Sequence, residues 1–260
     1  MIATANQWAR DCLEGLGRYA LLVLEAVRSI FGWRTGGRDW LYQMYFIGVK
    51  SQSVVLITGA FTGMVMCAQT YFQFHKVKMD TATLAVVGVS MGSELGPVLT
   101  ALMVAGRVGA AMAAELGTMR VTEQIDALRT LATHPVDYLM APRVLATVLA
   151  MPLLTAESIT VGILAGYGVG TFLLGIDPAY SYHNMLRYTG AQDMFIGLVK
   201  SVVFGLIVAT ISCYKGMTCP EGAEGVGRAT TEAVVYSSIT ILMCNFFLTL
   251  FLARLVQLYD

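Results

Sequence analysis

The sequence predicts an all-α membrane protein, built from an amphipathic N-terminal helix and five transmembrane helices. Hydrophobic residues make up 56% of the 260 residues and charged residues only 13%, and the mean hydropathy is +0.65. Several apolar runs are each long enough to cross a bilayer, which takes about 20 residues of helix. Before the first run, apolar and charged side chains alternate at helical spacing.

The N-terminal segment, 1–40, has the pattern of a helix that lies flat in the membrane interface. Its apolar residues recur every three or four positions, which places them on one side of a helix. They are Trp8, Cys12, Leu16, Tyr19, Val23, Val27 and Ile30. A polar patch at 33–39 ends the segment. A helix that packs on another protein domain would show the same pattern, so both interpretations stay open.

The remaining chain, 41–260, forms one transmembrane domain. Its predicted spans cover 45–74, 81–119, 144–174, 194–214 and 229–252. The second run is too long for one straight crossing. We expect it to kink at Gly96 and Pro97, because proline removes a backbone hydrogen bond.

Basic residues near the helix ends predict the orientation, since cytoplasmic loops carry an excess of Lys and Arg. With the N terminus in the cytoplasm, the inside segments hold Arg10, Arg18, Arg28, Arg34, Arg38, Arg120, Arg129, Arg143, Lys215 and Arg228. The outside segments then hold Lys76, Lys78, Arg187 and Arg254. This imbalance predicts a multi-pass protein with a cytoplasmic N terminus and a cytoplasmic loop at 120–143.

Small residues four positions apart recur in the apolar runs and let helix backbones approach closely. Examples are Gly59 with Gly63 and Gly162 with Gly166. Such pairs predict either a tightly packed bundle or the seam of a homodimer.

Five ionisable side chains fall within or near the apolar runs, where burial without a partner is unfavourable. They are Glu94, Arg107, Glu115, Glu157 and Lys200. Arg107 and Glu115 lie two helical turns apart, so they share a face and predict a polar cluster that holds helices in register. Glu94 precedes the Gly96 and Pro97 break, which indicates either the lining of a polar cavity or a carboxylate that bonds a freed backbone amide.

The sequence argues against an enzyme and against nucleic-acid binding. The 17 basic and 17 acidic residues balance, which leaves no field that favours polyanions. A GxSxG match at 88–92 lies in an apolar run rather than at a strand-to-helix turn. Neither a metal-ligand spacing nor a phosphate-binding GxxxxGK[ST] loop is present, so we expect no metal and no cofactor. ATP, if it drives the protein, must bind a separate subunit.

The segment 119–134, MRVTEQIDALRTLATH, predicts a short cytoplasmic helix that contacts such a partner. Thr122 is the expected cap, and Ile125, Leu128 and Leu131 fall on one face. An exposed apolar stripe fits a groove on another protein. A linker helix on the membrane surface is the alternative.

Several stretches together resemble the MlaE (YrbE) permease family. They are SELGP (93–97), AGRVGAAMAAELGTMRVTEQIDAL (105–128), HPVDYLMAPRVLA (134–146), GLVKSVVFGLIVATISCYKG (197–216) and GVGRATTEAVVYSS (225–238). Many relatives carry a basic residue before ELGP, where this chain has Ser93.

The resemblance implies a homodimeric permease in the bacterial inner membrane, which moves phospholipids between the inner and outer membranes. Its partners would be an ABC ATPase subunit, a periplasmic MCE-domain protein and, in some systems, a STAS-domain protein. By analogy, the helix at 122–131 couples to the ATPase, with Thr122, Glu123, Ile125, Asp126, Leu128 and Leu131 as its contact residues. The lipid cavity maps onto Met66, Gln69, Gln73, Phe74, Glu94 and Leu95.

Two other functions stay open from the residues alone. One is a proton- or ion-coupled transporter without an ATPase, in which Glu94 and Glu157 relay charge. The other is a scaffold that docks MCE proteins and carries no lipid.

Overall fold

The computed structural model describes the backbone of residues 2–31 and 37–259 and the side chains of 13–30 and 40–255. Trp8, Cys12 and the polar patch at 33–39 lie outside the described side chains. Within these ranges the regular elements are helices. Five of them are long and apolar enough to cross a membrane, which confirms the predicted fold class.

The helices follow one another with short connections. In chain order they are α1 (Ile2–Phe31), α2 (Trp40–Val77), α3 (Asp80–Val121), α4 (Gln124–Thr130), α5 (Val136–Leu173), α6 (Pro178–Tyr188), α7 (Ala191–Met217) and α8 (Gly222–Tyr259). The spans are α2, α3, α5, α7 and α8. We call the two ends of the bundle the α4 end and the α6 end, after the short helix that lies at each.

Glycines join α2 to α5 along the most extensive contact of the bundle. A Cβ on Gly63 would collide with the backbone of Gly162, and one on Gly59 would lie 2.7 Å from Ser158 Oγ. The two helices can approach this closely only because side chains are missing there. These glycine pairs therefore form a seam inside one chain, as the tight-bundle interpretation expects.

The hydrogen-bond pattern of α3 changes just before Gly96 and Pro97, where the sequence predicts a kink. The turn Met91–Leu95 is π-helical, and Pro97 then lies at the start of the regular segment Gly96–Val104. A proline at this position interrupts no regular α-helical hydrogen bond, because the wider turn precedes it. A second π-helical turn, Ala105–Gly109, follows in the same span.

α1 packs on the side of the bundle. The Tyr19 hydroxyl lies 2.7 Å from Thr210 Oγ1, and Ala26 and Ser29 are buried. Burial raises the pKa of Tyr19, which keeps its hydroxyl protonated and able to donate. Leu16, which the sequence places on the apolar face of α1, is 60% exposed.

α6 is a helix in a connection for which the sequence analysis predicted no element. Asp177 caps it, since Asp177 Oδ1 accepts hydrogen bonds from Ala179 N at 2.9 Å and Tyr180 N at 3.1 Å. Pro178 occupies the first turn. α6 packs against the start of α3, where Gly88 gives room for the Thr189 side chain.

Candidate functional site

A polar cluster lies in the half of the bundle nearer the α6 end and joins three spans. Lys200 of α7 donates hydrogen bonds to Glu94 Oε1 at 2.7 Å, to Ser93 O at 3.1 Å and to Thr249 Oγ1 at 2.9 Å. Asn245 of α8 donates to Glu94 Oε2 at 3.1 Å. All three protons of the ammonium group therefore have acceptors.

The two charges of this cluster differ in their access to the surface. Lys200 is fully buried, whereas the Glu94 side chain is 36% exposed. Asn245 Oδ1 is buried and accepts no hydrogen bond from the described residues. The Glu94 carboxylate is thus paired with a buried cation and is still accessible at the surface of an apolar bundle.

This turn has a positive charge beside it although position 93 is a serine. Its hydroxyl donates to Val89 O at 2.7 Å, and its carbonyl accepts from Lys200. The cation therefore comes from α7 rather than from position 93.

The structure brings part of the predicted lipid cavity together. Met66 and Leu95 both pack on a small apolar cluster formed by Cys67, Leu84, Val87 and Met91. Phe74 is half-buried, and Gln69 and Gln73 are exposed on α2. Met66, Gln69 and Gln73 recur at three and four residues, so they share one face of α2. This face lies in the half of α2 nearer the α6 end, and the Glu94 cluster lies in the same half of the bundle.

Arg107 and Glu115 do not bond each other. Arg107 Nη1 donates to Ser51 Oγ of α2 at 2.5 Å, while Glu115 Oε2 pairs with Arg143 Nη2 of α5 at 2.9 Å. Each contact joins α3 to a different neighbour.

Gly96 contributes to packing, since a Cβ there would collide with the Ile159 side chain.

The short helix α4 is held by charge rather than by the predicted cap. Its first flanking residue is Glu123, which has a left-handed backbone with φ 58° and makes no side-chain cap. The prediction that Thr122 caps α4 is wrong, because its hydroxyl donates backward to Thr118 O at 2.8 Å. Asp126 instead binds Arg120 at 2.8 Å and Arg129 at 3.1 Å.

The apolar stripe of α4 is mostly occupied within the chain. Ile125 is buried and Leu128 packs half-buried against the main core. Leu131 is 74% exposed and borders a cavity of about 240 Å³. Leu131 is therefore the one strongly exposed side chain of the three, which differs from the fully exposed stripe that the sequence predicted.

Sequence reasoning named Lys200 but gave it no partner, and it passed over Asn245 and Thr249. A signal existed, since Asn245 and Thr249 are polar residues one turn apart in a strongly apolar run. Their contacts with Glu94 join positions more than 100 residues apart in the chain, which spacing does not specify.

Comparison with known proteins places this arrangement in a family. The family model for the permease MlaE matches residues 40–251, which include all five spans almost completely. The chain belongs to the MlaE permease family. It is therefore a multi-pass membrane protein and a permease.

Named relatives of this MlaE-family chain agree. A probable ABC transporter permease protein of Rickettsia conorii is 45% identical over 242 residues, which cover 91% of each chain. One from Synechocystis is 45% identical over 83% of this chain and 82% of its own length. The intermembrane phospholipid transport system permease protein MlaE of Haemophilus influenzae is 36% identical over 95% of each chain.

Proposed function

We propose that the chain is the membrane subunit of an ABC-type transporter that moves phospholipids between the inner and outer membranes of a bacterium. The observation that carries this proposal is the family match over 40–251, supported by relatives named as ABC permeases and as a phospholipid transport permease. The sequence has no phosphate-binding loop, so the energy comes from a separate ATPase subunit.

In this proposal two copies of the chain form a homodimer in the inner membrane. The exposed apolar face of α8 is suited to contact with the second copy or with lipid. It includes Ile239, Leu242, Met243, Phe246 and Leu250. The N terminus and the α4 end face the cytoplasm, in agreement with the excess of basic residues there. A periplasmic MCE-domain protein, and in some systems a STAS-domain protein, completes the complex.

The lipid is held mainly by shape. Met66 and Leu95, which are half-buried over this apolar cluster, contact the acyl chains, and the half-buried Phe74 adds apolar surface. The exposed Gln69 and Gln73 and the open carboxylate of Glu94 provide the few polar contacts that a headgroup needs. Lys200 sets the charge of this site without touching the lipid, because it is fully buried.

Coupling to the ATPase runs through α4. Asp126 ties α4 to the end of α3 through Arg120, so a push on α4 reaches the span that carries Glu94. Leu131, the residue that directly follows α4, is the exposed apolar side chain available to a partner. Thr122 and Glu123, both exposed at the turn before α4, flank the same contact.

A substitution at the end of α4 tests the coupling. We expect Leu131→Asp to abolish co-purification of the ATPase, because a buried unpaired carboxylate is strongly unfavourable at an interface. Leu186→Asp is the matched control, since Leu186 is also exposed but lies in α6. Unchanged ATPase association in Leu131→Asp would refute the coupling assignment.

The proton-coupled alternative finds less support in the geometry. Glu94 already pairs with Lys200, and Glu157 Oε1 accepts a hydrogen bond from Gln52 Nε2 at 2.8 Å. The two carboxylates belong to separate clusters, and no described hydrogen bond connects them.

A further inference from the structure

Arg107 is a membrane-embedded cation of α3 without a counter-charge in the described structure. No described carboxylate oxygen lies within 4.0 Å of its guanidinium group. Three other cations of the bundle have a carboxylate partner: Lys200 pairs with Glu94, Arg143 with Glu115 and Lys215 with Glu232. An unpaired guanidinium in a span is unfavourable unless water, a backbone carbonyl or an anion from outside the chain contacts it.

The guanidinium group is anchored at one corner and open elsewhere. Nη1 donates to the hydroxyl of the buried Ser51 at 2.5 Å, which leaves four of the five N–H donors without a described acceptor. None of the described buried polar atoms without a partner is a nitrogen of Arg107. The Arg107 nitrogens that make no hydrogen bond are therefore accessible from the surface. Gly106 beside it is exposed and has open space where a side chain would stand.

The depth of Arg107 matches that of lipid headgroups. α3 and α7 run parallel, with Gly92 against Gly197 and Gly109 against Ser212. Arg107 is therefore level with residues near 210, about 20 residues from the start of α7 at 191. Twenty helical residues cross the hydrocarbon core of about 30 Å. Arg107 thus lies close to the boundary of the core on the side of the α4 end.

We propose that Arg107, anchored by Ser51, binds the phosphate group of a phospholipid at the α4 end. A guanidinium fork matches two phosphate oxygens, and the open space at Gly106 admits the headgroup. Thirteen residues of helix separate Arg107 from Glu94, which is about 20 Å. The chain then contacts the lipid at two depths. This inference rests on the proposed function, which it extends by naming phosphate as a recognised group.

Lipid binding to the purified full chain tests the inference. Native mass spectrometry would measure the affinity for phosphatidylglycerol and for diacylglycerol, its phosphate-free counterpart. Arg107→Gln should weaken phosphatidylglycerol binding about tenfold, the usual scale for hydrogen bonds to a charged group, and leave diacylglycerol binding unchanged. Arg107→Lys should give an intermediate affinity, because it keeps the charge but loses the fork. Arg254→Gln is the matched control, since Arg254 is exposed in α8.

Three results would overturn the inference. Equal loss of both lipids in Arg107→Gln would indicate a packing defect. Tighter binding of inorganic phosphate than of phosphatidylglycerol would identify free phosphate as the ligand. Unchanged lipid affinity with a loss of dimer in Arg107→Gln would assign the counter-charge to a second copy of this chain. Photocrosslinking of lipid at Leu95 reports on the proposed function separately, since Leu95 lies in the other half of α3.

Discussion

Removing Glu94 and removing Lys200 should have unequal effects on the stability of the chain. Glu94→Gln keeps the size of the side chain but leaves a fully buried ammonium group without a counter-charge. Removing one partner of a buried pair costs about 3–5 kcal/mol. A chain of this size loses about 2–4 °C of Tm per kcal/mol. We therefore expect the Tm to fall by roughly 10 °C.

Lys200→Met should be much milder. It removes the buried charge, and Glu94 keeps the donor groups of Asn245 and Thr249 as well as contact with the surface. For the same reason the double variant, Glu94→Gln with Lys200→Met, should be more stable than Glu94→Gln alone. The two substitutions are not additive because they share one interaction.

Thermal unfolding of the purified variants in mild detergent measures these differences. Glu221→Gln is the control, because Glu221 is exposed in the turn before α8 and should leave the Tm nearly unchanged. The reasoning fails if Glu94→Gln shifts the Tm no more than this control. It also fails if the double variant loses the sum of both single effects.

Three further substitutions test other parts of the structure. Gly63→Leu should keep α2 and α5 apart and lower the yield of folded protein in detergent. Gly168→Leu is the control and should be tolerated, because there is open space at Gly168. Equal yields of the two variants would contradict the glycine seam. Asp177→Ala should destabilise α6 by about 1 kcal/mol, seen as faster amide hydrogen exchange at 178–188, and unchanged exchange would argue against the cap. Glu157→Gln should leave ATP-driven lipid transfer intact, because an amide can still accept from Gln52; loss of transfer would favour a proton relay.

The spans could be predicted from the sequence because long apolar runs have one stable solution in a bilayer. Pro97 marked the place where the hydrogen-bond pattern of α3 changes, and the spacing of Gly59 and Gly63 indicated the close approach of two helices. These features depend on local sequence. Each could therefore be placed without knowledge of the neighbouring helices.

Partners across the bundle could not be predicted in the same way. Lys200 and Glu94 are 106 residues apart, and their meeting depends on how α3, α7 and α8 pack. The prediction that the apolar stripe of α4 is free for a partner was wrong for a related reason. Ile125 packs in the core of its own chain, and the sequence does not specify that contact. α6 was missed because it is short and amphipathic, although the Asp177 and Pro178 pair was a usable start signal.

The dependence of lipid movement on a separate ATPase tests the central claim most directly. The chain would be reconstituted in liposomes with a fluorescent phospholipid, alone and with its ATPase subunit, and transfer would be followed with and without ATP. The account predicts ATP-dependent transfer only when both proteins are present, and its loss in Leu131→Asp. Lipid transfer by the chain alone, at the rate of the complete system, would contradict it.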